Sequence, residues 1–174
     1  MKVLVTGGVR SGKSSHAEKL LLGESRVTYI APGPPADLDP EWAARVAAHQ
    51  RRRPAHWTTV ETADLGEAIG RVDGAVIVDC LGTWLTSTID ELDGWDGARA
   101  DWEPELLTRL DAAVLSIGDH VGPVVIVTNE VGMSVVPEHR SGRIFRDLLG
   151  TVNQRVAAAC DDVLLVIAGR VLTL

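Results

Sequence analysis

Short runs of apolar and β-branched residues recur along the chain, and the segments between them carry apolar residues at helical spacing. The runs have the length of strands buried in a parallel sheet, and they lie at 3–5, 27–30, 75–78, 124–127 and 163–167. The helical spacing predicts helices over 14–22, 41–52, 65–71, 103–115 and 143–159. Strand and helix therefore alternate along most of the sequence.

This alternation predicts an α/β fold with a mostly parallel, doubly wound sheet. A last apolar segment, 171–174, follows the Gly169-Arg170 turn and would add an antiparallel edge strand. The length of 174 residues and the hydrophobic content of 45% suit one core, so we expect a single domain over 1–174. Two stretches rich in turn-forming residues, 32–40 and 90–101, are predicted to be exposed loops.

In a sheet of this kind, ligands bind outside the carboxyl ends of the strands. Functional side chains are therefore expected in the segments that follow the predicted strands, which are 7–14, 31–33, 79–80, 129–130 and 168–169. Within them, Glu130 is a candidate base or orienting group for a reacting hydroxyl.

The first of these segments has the pattern of a phosphate-binding loop. Gly7-Gly8-Val9-Arg10-Ser11-Gly12-Lys13-Ser14 matches G-x-x-x-x-G-K-[ST] between a predicted strand and a predicted helix, which is the context that the motif requires. The glycines let backbone N–H groups and the positive helix end face the phosphates, Lys13 adds a catalytic cation, and the Ser14 hydroxyl can bind Mg²⁺. A chance match is the alternative, and it is rare in a chain of this length. The loop therefore predicts a site for ATP or GTP.

Asp79 closes the strand predicted over 75–78. Phosphate-loop proteins place an acidic residue at this position, where it holds Mg²⁺ directly or through water. Asp79 is therefore a candidate magnesium ligand beside Ser14, and the alternative is a solvated carboxylate or a helix N-cap.

The segment 41–53 combines positive charge with a histidine. It holds four arginines and one glutamate, whereas the whole chain has a net charge of −7. The positive charge is therefore concentrated locally, in a segment that could bind a polyphosphate. Arg45, His49 and Arg53 fall at i, i+4 and i+8 and share one helix face. A histidine flanked by arginines can attack phosphorus, because the arginines take up charge on the phosphate oxygens. An ordinary exposed histidine is the alternative, and four others compete for such a role: His16, His56, His120 and His139.

Composition excludes several classes of function. The acidic balance and the few aromatic residues, five Trp, one Tyr and one Phe, argue against a nucleic-acid surface. No apolar run reaches the length of a membrane span, and the first apolar run is too short for a signal segment. Cys80 and Cys160 lie far apart with no zinc-like spacing, which favours a reduced, cytoplasmic protein.

Three longer motifs carry a family resemblance: Gly-Gly-Val-Arg-Ser-Gly-Lys-Ser-Ser-His-Ala-Glu at 7–18, Arg-Val-x-x-His-x-x-x-Arg-Pro-Ala-His-Trp at 45–57 and Thr-Asn-Glu-Val-Gly-Met at 128–133. The likeness continues through 136–138, 145–147 and 152–155, and so covers nearly the whole chain. With these motifs the sequence resembles the bifunctional adenosylcobinamide kinase/adenosylcobinamide-phosphate guanylyltransferase family of cobalamin synthesis.

The resemblance implies a two-step enzyme. Such an enzyme phosphorylates the aminopropanol hydroxyl of adenosylcobinamide with ATP or GTP, and then transfers GMP from GTP to that phosphate with release of pyrophosphate. In the family the guanylyl group passes through a histidine, and the matching position is His49. The functional interpretation of the basic helix is thereby favoured over an ordinary exposed histidine.

The resemblance also implies small-molecule substrates used with Mg²⁺, and assembly as a homotrimer. The positions that it assigns to nucleotide binding are the loop Gly7, Gly8, Val9, Arg10, Ser11, Gly12, Lys13 and Ser14, the strand end Ala31, Pro32 and Gly33, the stretch Gln50, Arg51, Arg52 and Arg53, Glu61, and a strand-end position that matches Asp79 or a near neighbour.

Two other functions fit the phosphate loop alone. A single-function small-molecule kinase needs the loop and Mg²⁺ but has no use for a covalent histidine, so His49 and its arginines argue against it. A nucleotide-switch module is the second alternative. The sequence lacks the Asn-Lys-x-Asp motif that reads guanine, and Asn-Glu-Val-Gly at 129–132 does not replace it.

Overall fold

The computed structural model describes residues 1–34 and 39–174, and at Arg45 the backbone alone. The middle of the loop predicted over 32–40 therefore lies outside the described residues. The strands are β1 (Lys2–Thr6), β2 (Val27–Ala31), β3 (Thr58–Glu61), β4 (Ala75–Asp79), β5 (Val124–Val127), β6 (Asp162–Ile167) and β7 (Arg170–Thr173). The helices are α1 (Lys13–Leu20), α2 (Pro40–Arg52), α3 (Leu65–Gly70), α4 (Leu81–Glu91), α5 (Arg99–Asp119) and α6 (Arg140–Ala157).

The strands form one seven-stranded sheet in the order β3-β2-β4-β5-β1-β6-β7. All neighbouring strands are parallel except β6 and β7, which form an antiparallel hairpin at one edge. The prediction of a mostly parallel sheet with an antiparallel edge strand is confirmed. Because parallel strands end at the same edge, the carboxyl ends of β1, β2, β3 and β4 open toward one side of the molecule.

Helices cover both faces of the sheet. Alternate residues of β1 divide between two apolar clusters: Leu4 packs with α3, α4, α5 and α6, while Val3 and Val5 pack with α1. The central strands β4 and β5 are buried along almost their whole length, as expected for parallel strands covered on both faces. Together these contacts hold the strand ends in fixed relative positions.

The structure adds two elements that the apolar pattern did not predict, β3 and α4. It also begins α5 at Arg99 and ends α4 at Glu91, so the loop predicted over 90–101 is confined to the residues between these helices. An ion pair between Arg99 and Glu103, 2.6 Å apart, supports this early turn of α5. Within the described residues, no helix is long and apolar enough to cross a membrane.

Candidate active site

The phosphate-loop motif lies where its sequence context predicted, between the end of β1 and the start of α1. Gly12 caps α1 with φ of 97°, a backbone conformation that favours glycine. A Cβ at Gly7 would press against the carbonyl oxygen of Val166 and lie 2.8 Å from Ser11 Oγ. Both glycines are therefore required by the shape of the loop rather than by its flexibility.

Lys13 extends back over this loop. Its side chain is buried, and its Nζ donates a hydrogen bond of 3.1 Å to the carbonyl oxygen of Gly8. The ammonium therefore lies among the loop N–H groups that precede α1, where the helix end is positive and anions bind. A concentration of positive potential at this point requires a negatively charged ligand.

Asp79 lies at the end of β4, with its side chain 7% exposed. Tyr29 Oη of β2 donates a 2.8 Å hydrogen bond to Asp79 Oδ2, and His49 Nδ1 lies 3.6 Å from the same oxygen. Burial raises the pKa of the Asp79 carboxyl, but the contacts with His49, Tyr29 and Ser14 outweigh burial and hold the pKa below its ordinary value. Asp79 is thus a carboxylate at neutral pH.

Tyr29 supports Asp79 from the neighbouring strand. Burial first, and then the negative charge of Asp79, raise the pKa of Tyr29 well above its ordinary value. Its hydroxyl therefore stays a donor. The guanidinium of Arg53 stacks on the Tyr29 ring, 3.2 Å from the centre of the ring.

The basic helix α2 brings its histidine to the carboxyl ends of the strands. Asp39 caps it by accepting from the N–H groups of Glu41 and Trp42, and it ends at Arg52, two residues before Pro54. His49 and Arg53 both reach the cleft, as the shared helix face predicted. The Arg45 side chain, the third member of that face, lies outside the described residues.

Two neighbours compete for His49 Nδ1. Asp79 Oδ2, 3.6 Å away, can accept a hydrogen bond from an N–H at this position, whereas Arg52 Nη2, 3.4 Å away, can only donate to it. The contact with Asp79 favours the tautomer in which Nε2 carries a lone pair. Among the described side chains, which do not include that of Arg45, Nε2 has no hydrogen-bond partner, so it is the nitrogen open to a ligand.

These groups surround one cleft of about 430 Å³. The predicted site residues that line it are Val9, Arg10, Ser11, Gly12, Lys13, Ser14, Ala31, Gly33, His49, Arg52, Arg53, Glu61 and Asp79. The phosphate loop, the strand ends and the basic helix therefore meet at one place, although they are far apart in sequence.

Other predicted residues do not line the cleft. Gly7 and Gly8 belong to the phosphate loop without lining the cleft, and Pro32 is buried. Gln50 and Arg51 of α2 are exposed to solvent. Glu130 lies beside the cleft, but its Oε1 accepts from the backbone N–H of Gly132 at 2.5 Å, which gives it a role in shaping its own turn.

Tyr29, Trp42 and Thr83 also line the cleft, although the sequence reasoning did not assign them to it. Asn129 lines it as well, and it belongs to a strand-end segment that was expected to carry functional side chains. Asn129 was recognisable as a residue that follows a strand, but Tyr29 lies inside a buried strand and gave no polar signal. Thr83 belongs to α4, a helix that was not predicted.

The fold and the loop define the class of protein: an α/β phosphate-loop nucleotide-binding protein. Solved structures with the same fold include a prototypical ATPase of the type III secretion system of pathogenic bacteria, with 10% identity and a TM-score of 0.59 over 94% of this chain and 50% of that one. The assembled ATPase EscN of enteropathogenic E. coli is similar, with 12% identity and a TM-score of 0.54 over 96% of this chain and 43% of that one. This chain spans about half the length of these proteins or less, and the likeness concerns the fold alone.

Sequence relatives identify the family. The family CobU, described as cobinamide kinase / cobinamide phosphate guanyltransferase, matches residues 3–174. The bifunctional adenosylcobalamin biosynthesis protein CobU of Salmonella typhimurium is 42% identical, and its Escherichia coli counterpart 40%, each over 97% of both chains. The corresponding CobP of Pseudomonas aeruginosa is 35% identical over 97% of this chain and 94% of that one. The chain belongs to the CobU family of transferases in cobalamin biosynthesis.

Proposed function

We propose that this chain performs both reactions of its family in the cleft described above. It phosphorylates adenosylcobinamide with ATP or GTP, and then transfers GMP from GTP to adenosylcobinamide phosphate through a guanylyl group on His49. The observation that carries this proposal is the meeting of His49 with the phosphate loop in one cleft, beside Asp79. A kinase alone has no use for that imidazole.

The kinase step uses the phosphate loop. The hydroxyl oxygen of adenosylcobinamide attacks the γ-phosphorus, the bond from that phosphorus to the bridging oxygen breaks, and the hydroxyl proton is released to solvent. Lys13 and the N–H groups ahead of α1 neutralise the charge that builds on the phosphate oxygens and on the leaving diphosphate. Val9, Arg10, Ser11, Gly12 and Ser14 complete the cradle.

The guanylyl step uses the histidine. Nε2 of His49 attacks the α-phosphorus of GTP, forming a P–N bond as the bond to the departing pyrophosphate breaks. A phosphate oxygen of adenosylcobinamide phosphate then attacks the same phosphorus, the P–N bond breaks, and adenosylcobinamide-GDP leaves. Asp79 keeps the proton on Nδ1 through both steps and stabilises the positive charge that the ring gains when it is guanylylated.

Other predicted positions suit the binding of the rest of the nucleotide. Ala31, Gly33 and Glu61 lie at the ends of β2 and β3, on the side of the cleft that faces α2. Arg52 and Arg53 lie close to His49, where positive charge attracts the triphosphate. We keep Gln50, Arg51 and Pro32 as weaker assignments, because their side chains do not reach the cleft.

The site suits Mg²⁺ as the metal bound with ATP or GTP. Ser14 and Asp79 are close enough for the hydroxyl to lower the pKa of the carboxyl, so two hard oxygen donors lie together beside the phosphate loop. Within the described part of the chain, no group of three or more His, Cys, Asp and Glu side chains could hold a metal by itself. That suits Mg²⁺, which is commonly held by one or two carboxylates with substrate phosphates. When bound, it would neutralise phosphate charge.

The test separates the two reactions. His49→Ala should lose the GMP adduct and the transfer to adenosylcobinamide phosphate, because no nucleophile replaces Nε2. It should keep most of the kinase step, which relies on Lys13 instead. The measurement is mass spectrometry of the protein after incubation with GTP and Mg²⁺, together with label from α-labelled and γ-labelled GTP.

His56→Ala is the matched control, because His56 is an exposed histidine in the same motif that does not line the cleft. It should retain the adduct. A peptide map that places GMP on His56, or an His49→Ala protein that still takes label from α-labelled GTP, would show that the assignment of His49 is wrong.

A further inference from the structure

Glu18 is a buried acidic residue that has no role in the reactions described so far. It lies on α1, one helical turn after Ser14, and its side chain is 9% exposed. Both of its oxygens face one guanidinium: Arg52 Nη2 lies 3.2 Å from Oε1, and Arg52 Nε lies 3.4 Å from Oε2. A two-point contact of this kind fixes the direction of the arginine as well as its distance.

The contact matters for the position of α2, because the described residues of this helix have few other interactions with the rest of the chain. Among the described residues, none of its side chains belongs to either hydrophobic cluster. Its contacts with the rest of the chain include polar and aromatic ones: His49 with Asp79, Trp42 Nε1 with the Pro34 carbonyl oxygen, and, just beyond the helix, Arg53 with Tyr29. The pair of Glu18 and Arg52 joins the last turn of α2 to the helix that carries Lys13.

Arg52 also lies against the imidazole. Its Nη2, which Glu18 engages, is 3.4 Å from His49 Nδ1. Nη2 is thus already within hydrogen-bond distance of Nδ1, but it is shared with Glu18 Oε1. An arginine released from Glu18 is free to donate to Nδ1 alone. That hydrogen bond would move the ring proton to Nε2 and remove the lone pair needed for attack.

We propose that Glu18 is a positioning residue for guanylyl transfer, which acts through Arg52 to hold His49 in place over the phosphate loop. The inference rests on the proposed role of His49 as the guanylyl carrier. The kinase step has no such requirement, because Lys13 and Ser14 are carried by α1 itself. Loss of Glu18 should therefore separate the two activities.

The experiment is a double-mutant cycle on the full chain with Glu18→Gln, Arg52→Gln and both together. The readout is the single-turnover rate of GMP adduct formation across a range of GTP concentrations. Each single variant should lower the saturated rate by about tenfold to about a hundredfold, as expected when a nucleophile is misplaced. The double variant should be no slower than the slower single variant, because the two residues act as one unit.

Two further measurements distinguish positioning from general damage. Glu18→Gln should keep kinase turnover with ATP within about threefold of wild type. The reason is that only guanylyl transfer depends on the coupling of Glu18 to Arg52 and His49. Arg52→Lys keeps a cation without the two-point contact and should recover part of the adduct rate. The controls are Glu67→Gln and Arg71→Gln, which remove an exposed pair of the same residue types at the C-terminal end of α3 and should change neither activity.

The outcomes are separable. A wild-type protein that forms no adduct at His49 overturns the proposed function, and this inference with it. If wild type forms that adduct, the inference alone is overturned by any of three results: a wild-type adduct rate in Glu18→Gln, additive losses in the double variant, or equal losses of adduct formation and kinase turnover.

Discussion

Lys13 is a charged side chain that is only 8% exposed, and its position is explained by the ligand that the loop is shaped to bind. Among the residues that the structure describes, its Nζ donates one hydrogen bond, to a loop carbonyl oxygen, and it forms no ion pair. A buried cation without a carboxylate partner is costly unless an anion binds beside it. In the function that we propose, the triphosphate is that anion.

Replacing this lysine should therefore affect catalysis more than folding. Lys13→Ala should reduce kinase turnover by at least about a hundredfold, the cost of losing one group that stabilises transition-state charge. The melting temperature should stay close to that of wild type. Lys19→Ala, on the exposed face of the same helix, is the control for the loss of one lysine. Near-normal adenosylcobinamide phosphorylation by a folded Lys13→Ala protein would contradict the mechanism.

Asp79 gives a second prediction for a single residue. Asp79→Asn should raise the Mg²⁺ concentration required for half-maximal activity by about tenfold to about a hundredfold, because a neutral amide is a poorer partner for a hard cation. A Mg²⁺ titration of kinase turnover measures it. Asp119→Asn, an exposed acid remote from the cleft, controls for the lost charge. An unchanged Mg²⁺ requirement would contradict a role for Asp79 in binding the metal.

The residue types of this site were largely readable from the sequence, and the missing ones share a physical reason. The phosphate loop and His49 lie in recognisable motifs, and Asp79 lies at the end of a predicted strand. Residues at such positions can be assigned a chemical role from the sequence alone. Tyr29 and Glu18 act through partners that are remote in sequence, Asp79 and Arg52. The spacing of residues within one helix or strand cannot predict a contact between residues so far apart in sequence.

At the scale of elements, the phosphate loop depends on a strand that comes much later in the chain. Gly7 lies so close to β6 that an added methyl group would meet the Val166 carbonyl oxygen, and relief would require movement of backbone. Gly7→Ala should therefore destabilise the protein by about 1–3 kcal/mol, the usual cost of overpacking. Thermal or urea unfolding measures this change.

The neighbouring glycine supplies the comparison. A Cβ at Gly8 would have no atom within 4 Å, so Gly8→Ala should leave the melting temperature nearly unchanged. Equal stability of the two variants would show that the close contact of the loop with β6 does not restrict residue 7.

The elements that were not predicted have identifiable causes. The strand β3 reads Thr-Thr-Val-Glu and lies mostly exposed at the sheet edge, so it has no apolar run, and its pairing with β2 decides its structure. The helix α4 contains Gly82 and several β-branched residues, which lower helix propensity. It does carry buried Leu81, Leu85 and Ile89 at helical spacing, so the apolar pattern of a helix was present in the sequence. Burial of these side chains outweighs the low helix propensity.

At the scale of the whole molecule, the resemblance implies a homotrimer, and we propose that assembly for this chain. The described surface includes apolar side chains on the terminal hairpin, with Leu172 57% and Leu174 70% exposed. Apolar patches of this kind are common at contacts between subunits. We expect light scattering coupled to size-exclusion chromatography to give three times the protomer mass of 18.6 kDa. A single-protomer mass at micromolar concentration would contradict the proposal.

The contact between the phosphate loop and the terminal hairpin has a consequence for synthesis of the protein on the ribosome. The N–H of Gly169 donates a 2.8 Å hydrogen bond to the carbonyl oxygen of Ser11, and Val166 lies against Gly7. The loop follows β1 and leaves the ribosome long before its supports in β6 and the hairpin, which are translated later. A nascent chain that stops before β6 therefore carries the whole nucleotide motif without the backbone that shapes it, and it acquires nucleotide binding only when translation has passed the hairpin.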